Sequence, residues 1–230
     1  YSDYYVLLVE HDPEGKELIA MINAITTNKT EFFREQHHFC FLTEEVFPSY
    51  RKNPNRDKPF RLWSAASSSG EEAYSLAMTA LDAMPSFNEM DIHILATDID
   101  TDMLSRAAKG IYSLAHAIHI PETLLRRYFL KGQGAHAGEV MAKPLLKSLV
   151  HFHRLNLLEK PWPMQEKFDV IFCRNVLIYF DKPTQLDLFR RMAGAIKPGG
   201  YLMLGHSEAI HGVNNDFKPA GHSIYQLRGK

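Results

Sequence analysis

Residues Arg61 to Leu81, RLWSAASSSGEEAYSLAMTAL, constrain the fold more than any other stretch. Leu62, Trp63 and Ala65 suit a buried strand. Ala66 to Gly70 carry almost no side-chain bulk. Glu71 and Glu72 then open an amphipathic run through Tyr74, Leu76, Ala77, Ala80 and Leu81. A strand, a turn of small residues and a helix N-terminus let a chain's backbone approach a nucleotide-like ligand closely. The rest of the chain is expected to supply the other walls of that cradle.

Further strands and helices alternate along the sequence. Strands are expected near residues 62, 93, 151, 170, 202 and 225. The run FDVIFC (168–173) is almost wholly apolar, as in a parallel strand buried on both faces. Helices are expected at 14–25, from Thr30 through His37, Phe39 and Leu42 towards Val46, at 102–108 and at 182–196. Polar, proline-bearing loops are expected at 51–60 and at Pro85–Glu89, and a turn at Lys197–Gly200. The rhythm breaks between 111 and 149. There a short helix near 121–128 and pieces separated by Gly132, Gly134 and Gly138 read as a small antiparallel β insertion. The fold class is therefore α/β, a doubly wound and mostly parallel sheet.

In such sheets ligands bind beyond the carboxyl ends of the strands. Those ends here carry Glu71 and Glu72, then Asp98, Asn156, Arg174 and Asn175. Each alone is weak, and Asp98 reads equally as a helix cap. Their recurrence at successive strand ends points to one shared site. Asp98 is placed to accept hydrogen bonds from both hydroxyls of a ribose. The turn AASSSGEE has one glycine, so it is neither G-x-G-x-x-G nor a Walker loop. Its acids would repel a phosphate, which argues against NAD or ATP. A ribose-bearing cofactor with a cationic end, S-adenosylmethionine, fits better.

Composition narrows the remaining classes. Lys plus Arg number 26 against 27 Asp plus Glu, so no basic stripe for nucleic acid is expected. Two cysteines, Cys40 and Cys173, exclude a disulfide framework and a cysteine-based zinc site. The His37-His38 and His151/His153 pairs lack converging acids, so no metal is expected. No apolar run approaches about 18 residues and no signal peptide is visible, so a cytoplasmic protein without membrane insertion is expected. Tyr1 rather than Met opens the chain, which reads as part of something longer.

Seven segments together resemble the CheR family of chemotaxis-receptor methyltransferases. They are INAITTNKTEFFRE (22–35), WSAASSSGEEAYSLA (63–77), ATDIDTDML (96–104), RYFLKGQGAHAG (127–138), NLLE (156–159), FDVIFCRNVLIYFD (168–181) and KPGGYLMLGHSE (197–208). Their order is more specific than any one of them. The resemblance implies an S-adenosylmethionine-dependent methyltransferase domain at 31–230, with the β-subdomain inserted at about 111–149. It also implies that 1–30 is the remnant of an N-terminal helical domain and its linker.

The resemblance further implies roles. Asn28, Thr30 and Arg34 would reach cofactor or substrate from the linker. Glu72 would sit near the methionine part, Asp98 would hold the ribose, and Asn156 and Leu157 would flank the adenine. Arg174 and Asn175 would close the pocket, and Tyr179 would lie near the transferable methyl group. Arg34 and Tyr179 are the catalytic candidates. Arg174 also reads as a structural ion-pair partner, and Tyr179 as a core tyrosine. Phe32, Phe33 and Cys173 read as packing. The expected reaction is methyl transfer to glutamates of chemoreceptor cytoplasmic domains, yielding S-adenosylhomocysteine. A receptor tail peptide could add to the β insertion by strand pairing, and a monomer is expected. The alternatives are a regulatory module that binds S-adenosylmethionine without transfer, or a methyltransferase for a small molecule or nucleic acid, the latter disfavoured by the lack of a basic stripe.

Overall fold

The computed structural model describes residues 4, 12–53, 59–84, 91–210 and 216–229. Most of the expected segment 1–13, the centre of the 51–60 loop and the Pro85–Glu89 loop lie outside them. Helix α1 (Lys16–Ile25) starts after Gly15, whose φ is 67°, and the Asp12 carboxylate accepts from the first-turn amides of Lys16 and Leu18. It contributes no buried residue.

The helix expected from Thr30 begins later. Residues 32–36 form turns, with Phe33 and Glu35 both left-handed at φ 55° and 57°. Tertiary bonds override local propensity there. The Phe33 amide donates to the Ser75 hydroxyl at 3.0 Å, and the Glu35 side chain is drawn to His206. Helix α2 (His37–Phe41) then runs through a π-helical segment, Leu42–Val46, into α3 (Phe47–Lys52). Pro48 has no N–H for the preceding turn, and the wider π turns fall just before it.

The chain continues as β1 (Phe60–Ala65), α4 (Glu71–Ala83), β2 (Ile92–Asp98) and α5 (Thr101–Lys109). The insertion holds β3 (Ile111–Ser113), α6 (Glu122–Tyr128), β4 (Phe129–Lys131), β5 (Glu139–Ala142) and α7 (Pro144–Ser148). Then follow β6 (Val150–Arg154), β7 (Phe168–Cys173), α8 (Lys182–Ala195), β8 (Ile196–Leu204), β9 (Phe217–Gly221) and β10 (Ile224–Leu227). The large sheet has the order β6-β2-β1-β7-β8-β10-β9. Its first five strands pair parallel, and β10 pairs antiparallel with both β8 and β9. The chain builds outward from β1 to β2 and β6, then crosses to β7 on the other side of β1. That reversal opens a crevice at the carboxyl ends of β1 and β7.

Alternation along β1 divides the core. Phe60 and Leu62 join Phe32, Phe47, Tyr74 and Met78 on one face, while Trp63 and Ala65 join Phe168, Ile171, Leu188 and Phe189 on the other. The antiparallel insertion is present as a three-stranded sheet, β3-β5-β4. It sends Tyr112 and Phe129 edge-on against Phe32.

Two expectations need correction. The Lys197–Gly200 turn is absorbed into β8, with a register shift against β7. A Cβ on Gly200 would lie 2.6 Å from the Asp169 carbonyl, so only glycine permits that approach. The sequence predicts one final strand near 225; a further strand, β9, lies beside it at the sheet edge, where Pro219 is tolerated.

Candidate functional site

A cleft of about 470 Å³ opens at the carboxyl ends of β1, β2, β6 and β7. Asn28, Thr30, Arg34, Glu72, Asp98, Asn156, Leu157, Arg174, Asn175 and Tyr179 all line it. Residues scattered from 28 to 179 are therefore gathered at one place.

The turn after β1 forms the floor. Ala66, Ser68 and Gly70 take left-handed backbone at φ 70°, 48° and 95°. Gly70 has no room for a side chain, since a Cβ would meet the Ala107 Cβ at 2.8 Å. The amides of Ala66 and Ser67 donate to the Thr97 carbonyl, which ties the turn to the end of β2. Asp98 is buried there. Its Oδ2 accepts from the Ser68 amide at 2.7 Å and its Oδ1 from the Asp100 amide at 2.9 Å. Burial pushes its pKa up. Asp98 is not the helix cap. That role falls to Asp100, whose Oδ1 accepts from the amides of Asp102 and Met103.

Asp100 also straps the linker across the floor. Its Oδ2 accepts from the Thr26 hydroxyl at 2.6 Å and from the Asn28 side-chain Nδ2 at 2.8 Å. Burial pushes the Asp100 carboxyl up, but hydrogen bonds from Thr26, Met103, Asn28 and Asp102 outweigh it and hold it below its ordinary range. The Asn28 carbonyl accepts from Ser68 Oγ at 3.2 Å. Arg34 follows on the same segment, and its Nη1 donates to the Lys29 carbonyl at 3.0 Å.

The acids of the turn behave differently from the expectation drawn from their position. Glu71 is turned to Ser69 and does not line the cleft. Glu72 does, but its Oε1 accepts from the Ser64 hydroxyl at 2.6 Å and its Oε2 from Arg174 Nε at 2.7 Å. The Glu72 charge is thus compensated inside the protein. Arg174 is accordingly a buried ion-pair partner as well as part of the wall, with Nη1 donating to the Arg34 carbonyl and to His38 Nδ1. Asp98 is the lining carboxylate without an ion-pair partner among the described residues.

Tyr179 is not a core residue. It sits in a 3₁₀ turn, Leu177–Tyr179, and is 60% exposed at the mouth of the cleft. Beneath it lies a buried group that sequence reasoning missed, Glu208. Its Oε2 accepts from the amides of Asn175 and Gly205, and its Oε1 from those of Leu177 and Ile178. Glu208 lies within the KPGGYLMLGHSE segment, but only the tertiary structure brings it under residues 175–178. Phe32 and Cys173 are core, and Phe33 packs against the core.

Whether the donor set fits S-adenosylmethionine can be asked of these residues. The Asp98 oxygens each accept one backbone amide, leaving lone pairs for two ribose hydroxyls. Leu157, Val176 and Phe180 give the cleft an apolar wall of the kind a purine ring packs on. Among the described residues, Lys29, Arg34 and the ion-paired Arg174 are the lysine and arginine side chains that line the cleft.

Residues 28–226 match the family described as CheR methyltransferase, SAM binding domain. The chain is 41% identical over 225 residues to chemotaxis protein methyltransferase 2 of Pseudomonas aeruginosa, covering 98% of this chain and 78% of that protein. It is 44% identical over 227 residues to the chemotaxis protein methyltransferase of Klebsiella aerogenes, covering 99% and 75%. With the Escherichia coli chemotaxis protein methyltransferase the identity is 40% over 224 residues, covering 97% and 76%. The sheet, the cleft at its switch point and these matches define an S-adenosylmethionine-dependent methyltransferase. The chain belongs to the CheR methyltransferase family.

Proposed function

We propose that this chain methylates glutamate side chains of chemoreceptor cytoplasmic domains, producing glutamate methyl esters and S-adenosylhomocysteine. The supporting observation is that Arg34 and Tyr179 line the same cleft as Asp98, with Tyr179 exposed at its mouth. A glutamate carboxyl has a pKa of about 4.3, so it is ionised near neutral pH and needs no general base. S-adenosylmethionine supplies an already activated methyl group when bound. This chain's residues then have to hold, orient and desolvate the carboxylate. The planar fork of Arg34 suits a carboxylate, and the Tyr179 hydroxyl can orient it. Asn28, Thr30, Glu72, Asp98, Asn156, Leu157, Arg174 and Asn175 make up the proposed cofactor site.

The finer assignments belong to the same proposal. Residues 1–30 form the linker end of a helical domain and 31–230 the methyltransferase domain. The edges of the β3-β5-β4 sheet offer a place for a receptor tail strand to pair. The protein works as a cytoplasmic monomer; among the described residues no helix is long and apolar enough to cross a membrane. Tritiated methyl transfer onto purified receptor cytoplasmic domains tests the reading. Base-labile label on glutamate is expected. Tight cofactor binding without any label would favour the regulatory-module alternative.

A further inference from the structure

Parallel sheets are buried on both faces, because their crossover helices lie on both sides. One corner of this sheet departs from that rule. Between the end of β6 at Arg154 and the start of β7 at Phe168 the chain crosses without a helix. Trp162 of that connection packs edge-on against Trp63, with ring centroids 4.9 Å apart, so the crossing covers β1. On the same face no described element covers the neighbouring pair β2 and β6, where His93, His151 and His153 are exposed.

That corner is a cleft of about 540 Å³. Leu95, Pro163 and Met164 contribute accessible apolar surface over the buried Leu155 and Phe168, while Arg61 and Arg154 join the three histidines. Glu166 is the one acid lining it. The Asp169 carboxylate accepts from the Arg61 backbone amide at 2.8 Å and feels its guanidinium, whereas Arg154 and the three imidazoles form no ion pair among the described residues. The crowding has an electrostatic cost. Burial, then His151 and Arg61, push the His93 pKa down. An anion placed here would relieve that repulsion.

We propose that this corner is a docking cleft for an acidic amphipathic helix of a partner protein, lying where the β6–β7 connection omits a helix. A helix is about 10–12 Å across, which suits a pair of parallel strands. Its apolar stripe would pack on Leu95, Pro163 and Met164, and its carboxylates would reach Arg61, Arg154 and the imidazoles. Arg34, Glu72, Asp98 and Tyr179 do not line this cleft, and Leu155 is the residue it shares with the cofactor cleft, so calorimetric cofactor affinity is measured beside peptide binding.

The test uses the whole chain and a fluorescein-labelled helical peptide with leucine at i, i+3, i+4 and i+7 and glutamate on the flanks. Saturable binding that weakens with added salt is expected, with the lysine-flanked version of the peptide binding far less. His151→Glu with Arg154→Glu should weaken binding about tenfold or more, with calorimetric S-adenosylmethionine affinity unchanged. The single, exposed His151→Glu variant gives a smaller loss should the pair fail to fold. Failure of the acidic peptide to bind overturns the proposal. So does equal affinity for the lysine peptide or for the charge-reversed variants. Binding of inorganic pyrophosphate without peptide binding also overturns it, in favour of a small-anion site.

Discussion

Arg174 Nε lies 2.7 Å from Glu72 Oε2, and both side chains are buried. The same guanidinium reaches the Arg34 carbonyl at 2.6 Å and His38 Nδ1 at 3.0 Å. One cation therefore joins the end of β7, the start of α4 and the linker that carries Arg34. Removing Glu72 leaves it short of its nearest counter-charge, with Glu35 still 3.6 Å away. Glu72→Ala is expected to cost about 3 kcal/mol of stability in urea denaturation, because an uncompensated buried charge is expensive. A midpoint unchanged from the parent would refute the linking role.

Glu208 holds the turn under Tyr179 by accepting four backbone amides. Glu208→Gln keeps the shape but turns an NH₂ group towards two of those donors. It should cost about 2 kcal/mol in stability, the scale of a buried donor left without an acceptor. Turnover should fall with it, since Asn175 and Tyr179 flank the clamped turn. Wild-type stability and turnover in this variant would show that the clamp is dispensable.

Asp98 and Arg34 should separate binding from turnover. Asp98→Ala is expected to weaken S-adenosylmethionine binding roughly tenfold to a hundredfold, the scale of lost charge-assisted hydrogen bonds. Calorimetry showing unchanged affinity would sink that assignment. Burial holds the Asp98 pKa above its ordinary value, so affinity should begin to fall at a higher pH than for an exposed carboxylate. Arg34→Ala should lower turnover about a hundredfold with a smaller effect on cofactor affinity, as expected for a group that aligns the substrate. Equal losses of both would count against a substrate role.

Stability should decline on mild acidification. Burial, then Arg174, push the His38 pKa from 6.5 down to about 3. The unfolded imidazole binds a proton below pH 6.5 and the folded one does not. This contribution is therefore complete above pH 6.5 and is lost as pH falls towards 3. Burial pushes Glu35 up, but the His206 hydrogen bond and Arg174 outweigh it and hold its pKa at about 2 against 4.5. Its contribution is complete above pH 4.5 and is lost below. Buried Asp98 and Asp169 are pushed up and oppose Glu35 in the carboxylate range. Between pH 6.5 and 4.5 the contributions of His38 and His93, both pushed down by burial, are lost together as pH falls, while the raised carboxyls of Glu71, Asp98 and Asp169 act in the opposite sense. Thermal melts across that window should show a falling midpoint in the parent and a flatter profile in His38→Asn.

Much of this protein was legible in its sequence because the signals are local. FDVIFC becomes β7 over the expected residues, and the AASSSG turn can be seen from side-chain size alone. Ten candidate site residues could be named from the motifs and the family resemblance, and all ten line one cleft. What stayed hidden depends on long-range pairing. The turns at 32–36 override a helical pattern because Ser75 and His206 capture that backbone and side chain. The roles of Asp100 and Glu208 need partners dozens of residues away. The acids of the GEE turn looked like free negative charge, and only the fold shows Glu72 spent on Arg174. The strand–turn–helix alternation and the chemical type of each strand end follow from side-chain volume and polarity, so they are written in the order of the residues. Which charges face the cleft and which cancel inside the wall follows from distances between residues far apart in the chain, so it arises only on folding.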